Sequence, residues 1–193
     1  MEILGKILGN PTRVKIMRLF LLNRGKRFTA KDIVKRSRGS ASSVRSELRV
    51  LSSIDFIKKR NDDWSFNSFF KYGKEFEDLL VRSDTLKTET ILEHFKKAGR
   101  VKLIVISGIF IKNRDSRVDL LIVGDKMKRS KIEEGIRKIE AEIGAELSYA
   151  IFETKEFLYR LEMYDKLVRD ILDYPHEVIL QAKELSTHTL KKV

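Results

Sequence analysis

Among its 193 residues the chain has no cysteine, two prolines, one tryptophan and three histidines. Without cysteine there is no disulfide, no thiol nucleophile and no cysteine-held metal, which suits a cytoplasmic setting. The prolines, Pro11 and Pro175, leave most of the chain free to run as helix or strand. No run of 18 apolar residues occurs, and the opening MEILGKILGN lacks a signal-peptide layout, so a soluble, non-exported protein with no membrane partner is expected. His94, His176 and His188 are scattered without ligand spacing and read as surface or helix-end residues. There is no P-loop, dinucleotide fingerprint or nucleophile elbow. Neither a metal nor a cofactor is expected, and no catalytic residue is assigned.

What is abundant is positive charge, and it is uneven. The chain carries 40 Lys and Arg against 28 Asp and Glu, a net charge of +12. Residues 1–90 hold 20 basic against 11 acidic side chains, a net of +9, while residues 91–193 hold 20 against 17, a net of +3. Within residues 6–60 the ratio is 16 to 3. Solubility alone needs no such asymmetry; a polyanion bound by the N-terminal half does.

The basic segment has a readable plan. Asn10-Pro11 starts a helix running to about Leu22, with Val14, Met17 and Leu21 on its core side, Ile16 and Phe20 beside them, and Arg13, Lys15 and Arg18 on a cationic face. Thr29 caps a short helix to Arg36, with Asp32 in its first turn and Ile33 and Val34 facing inward. Arg38-Gly39-Ser40 is a tight turn. From Ser40 to about Leu51, Val44, Leu48 and Leu51 make an apolar stripe at i, i+4 and i+7, with Ile54 and Ile57 beyond it. The stripe turns Ser42, Ser43, Arg45, Ser46 and Arg49 outward. Guanidiniums fork onto guanine edges or phosphates and hydroxyls hold phosphate oxygens, so this face suits a major groove. Phe56 to Arg60 is a strand, Asn61-Asp62-Asp63 a turn, and Trp64-Ser65-Phe66 a returning strand.

Helix, turn, helix, then hairpin: over its first 70 or so residues the chain resembles the winged-helix transcriptional regulators of the ArsR/MarR type. The resemblance implies double-stranded DNA as partner. Arg38, Ser40, Ser42, Ser43, Arg45, Ser46 and Arg49 would then lie along the groove, with Lys58, Lys59 and Arg60 of the hairpin nearer the backbone. It also makes a homodimer the expected state, because two-fold symmetry lengthens a small footprint. The motive in the chain is the apolar helical stretch from Leu79 to Phe95. Phe69, Phe70 and Tyr72 are a possible dimer contact, weighed against satellite core.

The expected organisation is residues 1–72 as the basic domain, 73–99 as a helical linker, 100–180 as a small α/β domain and 181–193 as a tail. The fold class is α+β. In the linker, helices are expected over residues 74–82 and 85–98, broken at Ser83-Asp84 and stopped by Gly99. In the second domain, residues 101–107 and 118–123 are apolar runs suited to buried strands. A helix over 130–143 is closed by Gly144, a strand follows over 146–152, and one helix spans 154–173 before Pro175.

The strand, the glycine loop and the second strand from Ser116 to Val123 resemble the minimal nucleotidyltransferase fold. In that family a Gly-Ser pair cradles a triphosphate, and two aspartates one residue apart on a strand hold divalent metal. This chain keeps Asp119 as the second aspartate, has Arg117 in place of the first, and follows Ser107-Gly108 with Ile109 where the phosphate-binding serine belongs. The third strand supplies no carboxylate between Glu146 and Glu153. A guanidinium among would-be metal ligands opposes dications, so a retained fold without transfer chemistry is expected. Ser107, Gly108, Lys112, Arg114, Arg117 and Asp119 could instead hold an anionic or nucleotide effector. The resulting reading is a DNA-binding regulator whose second domain dimerises or senses a ligand. The alternative is a nucleotidyl- or adenylyl-transferase of the toxin–antitoxin type with a nucleic-acid-binding domain.

Overall fold

The computed structural model describes residues 2–82, 86–113 and 115–185. It is a mixed α+β protein with two separate sheets. Contacts divide the chain into Met1–Leu86 with Arg137–Glu146, and Lys87–Ile136 with Leu147–Val193. Ser83, Asp84, Thr85, Arg114 and residues 186–193 lie outside the described residues, and with them the expected Ser83-Asp84 break and one cation of the expected effector site. Among the described residues no helix is long and apolar enough to cross a membrane.

The first unit opens with α1 (Glu2–Ile7) and α2 (Pro11–Leu22). Asn10 caps α2 by accepting from the Thr12 amide at 2.8 Å. Every residue from Ile16 to Leu21 is buried, so α2 is a central helix rather than a half-exposed one. Arg18 is therefore not on a cationic face: it is 4% exposed, and its Nε donates to Leu80 O and Nη1 to Glu142 O, both at 2.7 Å. A strand the sequence does not announce, β1 (Arg27–Thr29), precedes α3 (Ala30–Ser37). Thr29 and Asp32 exchange hydrogen bonds in a capping box. Arg38 closes α3 in the left-handed region at φ 55°, and Gly39 follows. A Cβ on Gly39 would lie 2.8 Å from Thr12 Cγ2 and 3.0 Å from Val44 Cγ2, so this turn admits only glycine comfortably.

Helix α4 (Ala41–Ser53) is capped by Ser40, whose side chain accepts from the Ser43 amide. Val44, Leu48 and Leu51 are buried as their spacing requires; Ile54 falls past the helix end and is 49% exposed. The hairpin β2 (Ile57–Arg60) and β3 (Asp63–Phe66) turns through Asn61 and Asp62, with Asn61 at φ 55° as a two-residue turn needs. The sheet order is β1-β3-β2, all antiparallel. Phe56 sits at the centre of a ring cluster, edge-on to Phe66, Phe70 and Phe76. Of the aromatic connector, Phe70 packs on this core while Phe69 is 89% exposed. Helix α5 (Gly73–Glu77) continues as a π-helical turn over Asp78–Arg82. The Leu80 carbonyl in that turn is the one Arg18 takes up.

The second unit begins with α6 (Thr88–Phe95), shorter than the expected 85–98 helix. Its sheet holds β4 (Arg100–Ile106), β5 (Leu120–Asp125), β6 (Tyr149–Glu153) and β7 (Glu177–Gln181) in the order β6-β5-β4-β7. β4 and β5 are antiparallel, whereas β5 and β6 are parallel, joined in sequence through α7 (Arg129–Ile143) as a parallel pair requires. Leu103, Val105, Leu121 and Val123 form one core with Phe157, Val168 and Ile171. The alternate residues Ile104, Ile106, Leu120 and Ile122 are also buried, which explains why β4 and β5 read as unbroken apolar runs. The single helix expected over 154–173 is two, α8 (Thr154–Glu162) and α9 (Lys166–Asp173). Tyr164 turns left-handed at φ 55°, and Asp165 caps α9 by accepting from the Leu167 and Val168 amides. Strand β7 is unforeseen, and His176 just before it is buried at 6% rather than a surface residue.

Lys102 occupies the extra position of a β-bulge, where the β4–β5 register shifts between Val101 and Leu103. Its ammonium lies 2.9 Å from Asp125 Oδ2 and bonds Glu184 as well. Hydrogen bonds to Asp125 and then Glu184 hold the Lys102 ammonium above its ordinary range, and Lys102 holds both carboxyls below theirs. The carboxylates' contribution to stability is present above their ordinary titration at about pH 4 and is lost as pH falls through the depressed values. That of the ammonium is present below about pH 10.4 and lost as pH rises through the raised value. Lys102→Met should therefore flatten the pH dependence of this unit's melting temperature at both ends. Wild-type and variant profiles of the same shape from pH 2 to 11 would refute the assignment.

Candidate nucleic-acid interface

The exposed side of α4 follows from what its other side must bury. With Val44, Leu48 and Leu51 in the core, Ser42, Arg45, Ser46 and Arg49 are exposed and Ser43 is half-buried. Arg45 and Arg49 make no ion pair among the described residues. Ser40 and Ser42 hydroxyls lie 3.1 Å apart at the helix start, and Arg38 and Ser40 are exposed beside them. One polar residue of α4 breaks the pattern. Glu47 is 4% exposed, and its carboxylate takes a hydrogen bond from Asn10 Nδ2 at 2.8 Å and from Arg13 Nε at 2.6 Å. Arg13 also donates from Nη1 to Leu8 O at 2.7 Å. Its guanidinium is thus committed to tying α2 to α4, rather than standing free on a cationic face. Charge counting could not find this, because the partner acid lies 34 residues away.

The hairpin divides its cations by strand alternation. Lys59 is opposite Trp64, and Trp64 opposite Phe28, on the face that carries buried Ile57 and Phe66. Lys58 is opposite Ser65 and Ser65 opposite Arg27, and Arg60 is opposite Asp63, on the other face. The structure therefore brings Lys59 to the Arg45 and Arg49 side and sends Lys58 and Arg60 away from it. Phe69 stands out beside Lys58, whose ammonium is 5.7 Å from the ring centroid.

Between the β1–α3 junction, α4 and the hairpin lies a cleft of about 480 Å³. Leu48, Ala30 and the half-buried Trp64 supply its apolar floor, while Lys31, Arg45, Arg49 and Lys59 are exposed around it. Asp62 is the one carboxylate lining it, and its Oδ1 is 3.8 Å from the Lys59 ammonium.

In the second unit the structure brings Ser107, Gly108 and Asp119 together, with the Ser107 amide donating to Asp119 O at 2.9 Å, while Arg117 is paired outside the set. The Ser107 hydroxyl, 3% exposed, donates to Val118 O. Asp119 Oδ1 accepts from the Ile109 amide at 2.8 Å and Oδ2 from the Ser148 amide at 2.9 Å, so each oxygen holds a backbone N–H. Gly108 is at φ 56°, and a Cβ there would lie 2.1 Å from Asp119 Oδ1. Arg117 Nε lies 2.6 Å from Asp170 Oδ2. Lys112 is exposed at φ 60° on the same loop. Among the described residues no group of His, Asp and Glu is placed to hold a metal. No family model matches the chain, and neither does any curated protein or solved structure.

Proposed function

We propose that this chain is a sequence-specific DNA-binding regulator of the winged-helix kind, with α4 as the groove-reading helix and β2–β3 as the wing. The observation that carries the reading is the pair Arg45 and Arg49: guanidiniums exposed on a helix fixed by a buried face, with no carboxylate partner among the described residues. Lys59 on the same side supplies a phosphate contact, and the surplus charge of residues 6–60 supplies attraction to a polyanion. A homodimer on an inverted repeat would give the short footprint enough length. The apolar residues that first suggested one, between Leu79 and Phe95, are largely used within the chain, since Leu80, Ile91 and Phe95 are buried.

The second unit, in this proposal, is a nucleotidyltransferase-like framework kept for assembly or sensing rather than transfer. Its support is the Arg117 guanidinium, paired with Asp170 where a metal-binding aspartate would stand, together with the use of each Asp119 oxygen to hold a backbone amide, of Ile109 and of Ser148.

The test is selection of bound fragments from genomic DNA, followed by affinity measurements on the recovered motif. An inverted repeat is the expected motif. Arg49→Ala should cost about 1–3 kcal/mol and relax sequence preference, while Lys59→Ala should weaken all sequences alike and flatten the salt dependence. Lys58→Ala, on the far face of the sheet, should change affinity less than Lys59→Ala. Equal losses on specific and random DNA for Arg49→Ala and Lys59→Ala would sink this division of roles.

A further inference from the structure

The cleft between α4 and the hairpin has two properties that no single simple partner satisfies. Its floor is apolar and includes the indole of Trp64, and four cations, Lys31, Arg45, Arg49 and Lys59, stand around it against one carboxylate. A bare phosphate would leave the floor uncovered, and a neutral aromatic ring would leave the cations unpaired. A flat ring carrying an anion answers both. The volume of about 480 Å³ lies within the roughly 300–1,000 Å³ range of small-molecule sites. The Lys59 ammonium is 5.8 Å from the Trp64 ring centroid, so a flexible, exposed side chain covers the indole, which a ligand can displace by stacking.

The geometry points to a mononucleotide site here, the base stacked on Trp64 and the phosphate held by Arg49 and Lys31. The nucleotide has two possible sources, a free nucleoside monophosphate or a single unpaired nucleotide of a bound duplex. Because Arg45, Arg49 and Lys59 also face the groove in the proposed DNA complex, free nucleotide and perfectly paired DNA compete. A nucleotide effector would then act on the reading face itself and not through the second unit.

Trp64 is the chain's sole tryptophan, so its fluorescence reports on the floor of the cleft without a label. Adenosine 5′-monophosphate should quench it saturably. Adenosine, lacking the anion, and ribose 5-phosphate, lacking the ring, should each bind at least tenfold more weakly. Arg49→Ala and Lys31→Gln should each weaken the nucleotide about tenfold, and agreement between them guards against misfolding of either one. In the second arm, a duplex with one unpaired adenosine is compared with its perfect counterpart. Extra quenching by that duplex alone, with none from the monophosphate, assigns the site to a nucleotide extruded from DNA. No quenching in either arm, or quenching unchanged in both variants, overturns the proposal. Retarded migration of the perfect duplex is scored separately: duplex binding without quenching sinks the pocket alone, and quenching without duplex binding sinks the DNA reading alone.

Discussion

Glu47→Ala should lower the unfolding free energy of the first unit by about 2–4 kcal/mol, an effect out of scale with the exposed ion pairs elsewhere on this chain. Exposed pairs contribute about 0–1 kcal/mol because water screens them and both side chains lose freedom. Glu47 differs because its side chain is 5% exposed and it serves two elements at once. Its loss strands the Arg13 guanidinium, itself 28% exposed, and frees the Asn10 amide that holds the α2 cap in place. Breaking a largely buried pair from one side costs about 3–5 kcal/mol, and the partial exposure of Arg13 trims that figure. Glu47→Gln keeps an acceptor and should lose about half as much. Denaturant titration followed by Trp64, which lies in this unit, measures both. A loss under 1 kcal/mol for the alanine variant would show that α2 and α4 hold together by apolar packing alone.

Asp119→Ala should destabilise the second unit by about 1–3 kcal/mol while leaving the first unit's transition in place. Two backbone amides, of Ile109 and Ser148, lose their acceptor together; the partly buried Ile109 donor left unpaired costs about 1–3 kcal/mol, while the exposed Ser148 donor is taken up by water and adds little. Asp119→Asn should recover only part of this, since an amide offers one oxygen and turns a donor toward one of the two N–H groups. Hydrogen exchange at the Ile109 and Ser148 amides is the direct measurement, because both should lose protection first. Added magnesium should not raise the melting temperature of the wild-type unit, since stabilisation by a ligand requires a site in the folded state. A magnesium-dependent rise that Asp119→Ala abolishes would restore the carboxylate to a metal-binding role.

The parts of this protein that were legible in the sequence are those set by short-range periodicity. The stripe Val44, Leu48, Leu51 gave the inner side of α4, and through it the exposure of Arg45 and Arg49. The unbroken runs of β4 and β5 announced strands buried on both faces. What escaped lacked either length or a local signal. β1 is three residues long, too short for an alternation to register. The break between α8 and α9 hid under a continuous apolar stripe, although Asp165 was the helix-start residue to notice. Arg13 and Arg18 counted as surface charge because nothing nearby in sequence reveals that Glu47 and the Leu80 carbonyl consume them. The roles of Ser107 and Asp119 were likewise invisible, since their partners lie 11, 10 and 29 residues away.

The alternation of the hairpin has a consequence for how this surface can change over time. Lys58 and Arg60 stand on one side of the sheet and Lys59 on the other, a parity set by burial of Ile57 and Phe66 and by the two-residue turn at Asn61 and Asp62. Point substitutions can therefore tune either charged surface without disturbing its neighbour. A slip of one in the pairing of β2 with β3 is another matter, because it moves every side chain of β2 to the opposite face. Ile57 would leave the core as Lys58 entered it. The strands, pinned by Ile57 and Phe66, are therefore the place where length is held most tightly, and variation along them should accumulate as exchanges of residue type.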